Sequence, residues 1–415
     1  MRPQRNEAAS EKGREFSLLQ MVSPEVLAEP HVLYRGLREY EPVHWDPYMH
    51  AWVVTSYSEV VTVLMHYSAD RTPAPDDLDR RGLTFMKPFA EMMLRQMMFM
   101  DGSAHARLRG ICSAAFTPRR VEELRAIVQQ IADELLDRVL SRGTMDMIED
   151  FANPLPAILT AGLLGVPVDD HAQLHSWVLD LAEVLGNFQH DPDRVAEIMR
   201  SLAQMTEYIR ARIAEQRIRP QDGLIRSLLL AEVDGQRLSD DEVVANTIIT
   251  LIGGHETTTN LIASGFLTLL RHPDSLQQLR EHPEIAPSAV EELLRFESPV
   301  QHTARIAPDD GELGGKKIRK GARVVAVLGA ANRDPNRFQD PDILDLLRTN
   351  NRHVAFGWAA HFCFGASLAR LEGQIAMKVL ARRIRNPVLE EQKLEWRQNA
   401  GLRGLTRLRI RFDRA

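Results

Sequence analysis

The sequence predicts a predominantly helical α+β protein built as one unit. Three observations carry this expectation. Four long stretches place apolar residues at three- and four-residue spacing. Strand signals are short and fall at two places and at the C-terminus. No low-complexity linker, internal repeat or long charge block divides the 415 residues.

Met1 to Phe16 is polar and charged and lacks the apolar core of a secretory signal. Residues 17–415 are expected to form a single domain. Pro42 to Thr55 holds Val43, Trp45, Trp52, Val53 and Val54 around a turn at Asp46-Pro47, a strand pair. Val121 to Leu140 and Pro192 to Gln216 carry the helical period. Ser239-Asp240-Asp241-Glu242 is a capping box, with serine at the cap and glutamate three residues on. The helix it opens can run to Arg271, about 32 residues or roughly 48 Å at 1.5 Å per residue. Ser288-Ala289-Val290-Glu291 reads as a second capping box, for a helix that must end near Pro299. Ile318 to Leu328, after Gly314-Gly315, and the alternating Leu408 to Phe412 supply further strands. Between them, Ala366 to Arg383 reads as a helix.

Composition is that of an ordinary globular protein, with 44% hydrophobic and 26% charged residues. A net charge of −6 gives no basic field for nucleic acid. No run of about 18 apolar residues spans a membrane. The two cysteines make no disulfide framework, so a reducing cytoplasm is expected.

Cys363 follows an aromatic and glycine turn and precedes the helix at Ala366. Helix N-terminal amides favour the ionised sulfur, which is the form that binds a metal. With only Cys112 besides, a four-cysteine zinc or iron–sulfur site within one chain is excluded. A single thiolate donor to a haem iron remains, against the plainer reading of a buried structural cysteine.

The long helix carries Gly253-Gly254-His255-Glu256-Thr257 at its middle. Paired glycines cost about 1 kcal/mol each in a helix. They also allow close approach of a flat ligand and local distortion. A carboxylate and a hydroxyl at such a place can hold water and relay protons. Thr259 stands where a zinc H-E-x-x-H motif needs histidine, so that motif is absent. Glu292 and Arg295, three apart, share a helix face.

Phe356-Gly357-Trp358-Ala359-Ala360-His361-Phe362-Cys363-Phe364-Gly365 resembles the haem loop of the cytochromes P-450, F-G-x-G-x-H-x-C-x-G. Phe356, Gly357, His361, Cys363 and Gly365 fit the pattern, and Ala359 departs from its second glycine. If the turn needs a positive φ there, alanine is disfavoured. The resemblance runs from about Pro42 to Arg411. It implies one triangular, mostly helical domain with a long central helix and small β-sheets. It also implies a soluble bacterial type, because membrane-bound relatives carry an N-terminal anchor.

The same resemblance supplies roles. Cys363 would be the axial ligand of haem b. Glu256 and Thr257 match the acid and alcohol of the oxygen-activation motif, with Gly253 and Gly254 before them. Glu292 and Arg295 match the E-x-x-R pair, with Arg348 as its third member. His105 and Arg109, with Arg305 and His353, match positions that hold the haem propionates. The stretch Phe85, Met86, Phe89, Met97 and Met98 matches a mobile lid on the substrate pocket, with core packing of an amphipathic helix as the alternative. Leu251, Ile252, Val300 and Leu402 would line the wall, and His302 or Arg403 would orient a polar substrate group. The implied activity is an O2-dependent monooxygenase acting on an apolar small molecule. Its electrons would come from a ferredoxin and ferredoxin reductase or a flavodoxin, with Arg107, Arg119, Arg120 and Arg352 as candidates for docking. The alternatives are a peroxide-using or oxidative-coupling relative and a haem sensor or carrier without turnover.

Overall fold

The capping box at Ser239 forms as its sequence predicts. Ser239 Oγ accepts from the Glu242 amide at 3.2 Å, and Glu242 Oε2 accepts from the Ser239 amide at 2.9 Å. The helix then runs Asp240–Arg271. It is buried nearly all round, as a helix enclosed by others must be, with polar residues such as Asn246, His255, Glu256 and Asn260 among those it buries. Around it pack the helices Pro154–Leu164, His171–Gly186, Pro192–Ile218, Ala286–Glu297 and Ala366–Arg383. The computed structural model describes residues 16–115, 117–167, 170–187, 192–221, 223–233 and 235–414. The polar N-terminal stretch therefore lies, apart from Phe16, outside the described residues.

The predicted strand pair is an antiparallel hairpin, Val43–Asp46 with Ala51–Val54, in register Val43↔Val54 and Asp46↔Ala51. Asp46 Oδ1 ties its turn by accepting the amides of Tyr48 at 3.0 Å and Met49 at 3.1 Å. Arg323–Ala326 joins the hairpin in parallel, and Thr303–Ile306 closes this four-stranded sheet. The predicted stretch Ile318 to Leu328 thus divides. Lys316–Ile318 instead forms a separate hairpin with Gly311–Leu313, turning on Gly314-Gly315 at positive φ. The C-terminal strand Arg409–Arg411 lies between Val388–Leu389 and Thr144–Asp146.

Two further predictions need correction. Val121 to Leu140 is two helices, Pro118–Glu123 and Arg125–Leu140, with Thr117 capping the first. Ser288 caps nothing, because its helix starts earlier, at Ala286–Pro287, where proline suits the first turn. Ser288 Oγ bonds back to the Ile285 carbonyl at 2.9 Å, and Glu291 is free for a different partner.

Among the described residues the core forms two large apolar clusters and a smaller third one on the four-stranded sheet. One gathers around the C-terminal half of the long helix and the helix Ala366–Arg383. The other gathers around its N-terminal half and takes in Cys112. Burial pushes the Cys112 thiol up to about 12, which makes it inert packing. Among the described residues no helix is long and apolar enough to cross a membrane.

Candidate active site

Phe356 to Gly365 is a tight loop that feeds the helix Ala366–Arg383. The Cys363 amide donates to the Phe356 carbonyl at 2.8 Å, and Gly357 makes the turn between them at φ +71°. Ala359 sits at φ +54°, so the position where the family pattern has glycine does demand a left-handed backbone. Protein surrounds Cys363 densely, yet its surface stays accessible, so it lines an internal space. Burial pushes its thiol up, and the Gly365 amide, Arg109 and Arg370 act against that rise. Those three are the influences that favour a thiolate.

The middle of the long helix opens on an internal space too. Gly253 is exposed and Gly254 and Thr257 are partly so, while Leu251, Ile252, His255 and Glu256 beside them are buried. A Cβ built on Gly253 would meet nothing within 4 Å. Phe364, next to the cysteine, packs against the cluster that contains Leu251 and Ile252. Thr257 Oγ1 donates to the Gly253 carbonyl at 2.5 Å. Glu256 Oε1 accepts from Asn260 at 3.2 Å and lies 3.6 Å from Arg397 Nε. His255 reaches Asn153 Oδ1 at 2.6 Å, and Asn153 Nδ2 reaches the His175 ring at 3.0 Å. Burial pushes His255 down to about 3 and His175 to about 4, so both rings are neutral at pH 7.

Two histidines and two arginines gather at one edge of the cysteine loop. His105, on the helix Gly102–Ala115, stacks on His361 with ring centroids 4.2 Å apart. His361 Nε2 lies 3.1 Å from Asp101 Oδ1. Burial, then His361 and Arg109, push His105 down to about 4. Arg305 is buried on its strand and donates to Thr303 Oγ1 and the Ala304 carbonyl, both at 2.9 Å, while its Nε has no partner. Sequence reasoning missed Asp101 and Arg71, which join this cluster. Neither has a spacing partner that would have marked it.

The E-x-x-R pair is fully buried. Arg295 grips both oxygens of Glu292 at 2.8 Å and donates to the carbonyls of Asn332 at 2.9 Å and Pro341 at 2.8 Å. Arg348 Nε lies 3.1 Å from each Glu292 oxygen. Asn351, another residue the sequence did not single out, donates to Glu292 Oε2 at 3.1 Å.

Four expectations need correction. The His353 ring is spent on protein, with Nε2 3.2 Å from Glu291 Oε2 and Nδ1 accepting from the Ala355 amide at 3.2 Å. Glu291 is in turn held bidentate by Arg370 at 2.7 and 2.8 Å, so His353 braces the loop and leaves no donor for a propionate. Arg403 is equally committed, to Glu297 at 2.8 Å and to the carbonyls of Leu27 and Ala28, over the face of Trp396. It has no freedom to meet a substrate. Arg107 is ion-paired to Glu242, which removes it from a docking surface. Phe85 lies on the outer face of its segment, 49% exposed, whereas Phe89 and Met97 pack in the second core cluster. Met86 and Met98 are half-buried between these extremes. Val300 and Leu402 meet through a β-bridge beside the same cluster, and burial and Arg71 push His302 down to about 4.

Among the described residues no group of three histidine, cysteine or acidic side chains could hold a bare ion. A lone cysteine suits an iron that brings its other ligands with it. The open glycine face suits a flat group, and the buried cations short of acidic partners suit one that carries carboxylates. These residues fit haem. Comparison with known proteins agrees. The Cytochrome P450 family model matches residues 43–406. The chain is 37% identical over 396 residues to the biotin biosynthesis cytochrome P450 of Bacillus subtilis (strain 168), covering 94% of this chain and 98% of that one. The solved structure of P450BioI in complex with hexadec-9Z-enoic acid ligated acyl carrier protein matches with TM-score 0.88 at 35% identity, over 94% of this chain and 99% of that one. Myxobacterial cytochrome P450 CYP267B1 in complex with myristic acid matches with TM-score 0.86 at 37% identity, over 95% and 98%. A cysteine loop, a glycine-faced helix and a likeness that spans nearly the whole chain lead to one statement: the chain belongs to the cytochrome P450 family of haem-dependent monooxygenases.

Proposed function

We propose that this chain oxidises an apolar small molecule with O2, using haem b held through Cys363. The observation that carries the reading is the Cys363 loop, which sets a lone accessible cysteine just ahead of the helix Ala366–Arg383, with the Gly365 amide and two arginines opposing the upward push that burial gives its thiol. When bound, the haem supplies the oxygen-activating redox chemistry, and the thiolate's electron donation favours O–O cleavage. The residues that would hold it are Cys363 through its sulfur, Gly253 and Gly254 against its flat surface, and His105, Arg109, Arg305 and His361 at its propionates.

The chain's own part is proton supply and orientation. Glu256 holds a carboxylate in the core beside Arg397 and Asn260. Thr257 presents a hydroxyl on the open side of the same turn, anchored on Gly253. Together they would move protons to the reacting oxygen through water. Leu251, Ile252, Val300 and Leu402 would exclude bulk water and hold an apolar substrate. Relatives solved with myristic acid and with an acyl carrier protein support a chain-like substrate. Electrons would come from a separate ferredoxin with its reductase, or from a flavodoxin, and the two unpaired cysteines suit a cytoplasmic setting.

A carbon monoxide difference spectrum of the reduced protein tests the ligand directly. Thiolate ligation in wild type and its loss in Cys363→His are expected; nitrogen ligation in wild type would sink the reading. Turnover with O2 and reductant should exceed turnover with hydrogen peroxide alone, which separates this reading from a peroxide-using enzyme. Substrate-dependent consumption of reductant with an oxygenated product separates it from a sensor or carrier.

A further inference from the structure

Asn153 stands at the start of the helix Pro154–Leu164, a position where asparagine is favoured because its side chain can cap the helix. Among the described residues this side chain makes no capping bond. It reaches instead to histidines on two other helices. His255 Nε2, on the long helix, donates to Asn153 Oδ1 at 2.6 Å. Asn153 Nδ2 donates to His175 Nε2, on the helix His171–Gly186, at 3.0 Å. The two rings lie against each other, with centroids 4.7 Å apart and planes tilted by 36°. An amide offers one accepting side and one donating side, so the two Nε2 atoms take opposite roles. His175 therefore carries its proton on Nδ1, which is buried with no partner among the described residues. A missing cap and a bare buried nitrogen both weaken the fold. One turn of π-helix, Ile148–Ala152, brings Asn153 to this place, with the Asn153 amide donating to the Ile148 carbonyl at 3.0 Å. Such turns are rare and recur at functional sites.

The bridge grips the long helix at its most pliable turn. Paired glycines let a helix bend. A Cβ on Gly253 would meet nothing within 4 Å, and one on Gly254 would come no closer than 3.8 Å, to Thr160 Oγ1. Thr257 bonds within the turn, to the Gly253 carbonyl. Among the described residues two side chains of this turn bond outside the long helix. Glu256 meets Arg397 at 3.6 Å, a long reach for an ion pair. His255 meets Asn153 at 2.6 Å and is only 3% exposed, so water does not compete for that bond.

We propose that Asn153 and His175 are positioning residues for oxygen activation. Through His255 they hold the turn that carries Glu256 and Thr257 in the shape from which that pair hands protons on. This rests on the haem-enzyme reading above. Three holoenzyme variants are compared with wild type. Asn153→Leu keeps bulk and removes both bonds. His255→Phe keeps a ring and removes its bond. His255→Gln has an amide that can still donate to Asn153.

Two readouts follow them, and neither needs a known substrate. One is hydrogen exchange of the backbone amides in the peptide that contains Gly253 to Thr257. The other is the solvent isotope effect on O2-dependent reductant consumption, driven by a saturating surrogate ferredoxin and its reductase. In Asn153→Leu and His255→Phe, exchange at the turn speeds up about fivefold or more. Reductant consumption slows by a similar factor and its isotope effect rises, because proton supply becomes the slow step. His255→Gln recovers part of each change. A bridge that served the fold alone would lower the unfolding midpoint and leave the isotope effect where it is, and that result would overturn the proposal. So would exchange within about twofold of wild type, or His255→Gln as impaired as His255→Phe. Should Asn153→Leu fail to fold, Asn153→Ser takes its place, because serine can cap the helix but cannot span the two rings. A wild type that binds no haem through a thiolate would overturn both readings, and it is recognised before any variant is made. Variants that match an active wild type overturn this proposal alone.

Discussion

Arg348 and Glu292 lie 56 residues apart in the chain, yet Arg348 Nε sits 3.1 Å from both oxygens of that carboxylate. Arg295 holds the same two oxygens from within the helix, and both Glu292 and Arg295 are fully buried. A single carboxylate thus ties the helix Ala286–Glu297 to the irregular segment that leads into the cysteine loop. Its worth lies in what its loss leaves behind, because either partner alone is a buried charge without water.

Removal of one partner should therefore be far worse than removal of a surface pair. We predict that Arg295→Ala loses about 3–5 kcal/mol of stability and accumulates little haem-loaded protein. Chemical denaturation and haem content measure this. Normal folding and haem content in that variant would refute a structural role for the network.

Glu256 and Thr257 share a turn but meet different partners, so their variants should differ. Glu256→Gln keeps a side chain of the same shape beside Asn260 and Arg397 but cannot deliver a proton. We predict that its O2-dependent turnover falls by about 10²-fold or more, with peroxide-driven turnover much less affected. Thr257→Ala frees the Gly253 carbonyl and should waste reductant without stopping its consumption. Product formed per reductant oxidised is the measurement, and unchanged coupling in both variants would remove the pair from the mechanism.

Much of this site was legible because its parts are local patterns. The capping box at Ser239 set the start of the long helix, and the cysteine helix has the predicted ends, Ala366 and Arg383. The same kind of pattern misled at Ser288, where Pro287 in the first turn starts the helix before the serine can cap it. Arg71, Asp101 and Arg397 were illegible for another reason. Each acts on a residue far along the chain, as Asp101 does on His361, 260 positions away, and no spacing rule joins them. His353 and Arg403 matched by chain order alone, which says nothing of whether a side chain is already committed. Their carboxylate and carbonyl partners decided that.

Acid should destabilise this fold early. Burial is the first cause that holds His105, His175 and His302 down at about 4 and His255 at about 3. An unfolded chain returns these rings to about 6.5. Between those values the unfolded state binds more protons, so stability is present above about pH 6.5 and is lost as pH falls toward 4. A fully enclosed ring such as His255 adds at most about 1.4 kcal/mol per pH unit to the slope, and the less enclosed His105 and His175 add less. Urea unfolding from pH 7.5 down to 5 should show the decline, and His255→Gln should flatten it. A stability that stays level over that range would refute the account.

The backbone at Ala359 offers a gain in stability. Its φ of +54° is a left-handed conformation that costs an alanine about 1–2 kcal/mol. Glycine adopts it freely but loses about 0.5–1 kcal/mol more in chain entropy on folding. The difference favours glycine by about 0.5–1 kcal/mol. The side chain belongs to a short turn, Ala359–His361, none of whose residues is buried, so its loss opens no cavity in the core. We predict that Ala359→Gly raises the unfolding midpoint and leaves the carbon monoxide spectrum unchanged, because the Cys363–Phe356 backbone bond does not involve residue 359. A variant that unfolds earlier than wild type would show that the alanine methyl contributes packing worth more than the strain it imposes.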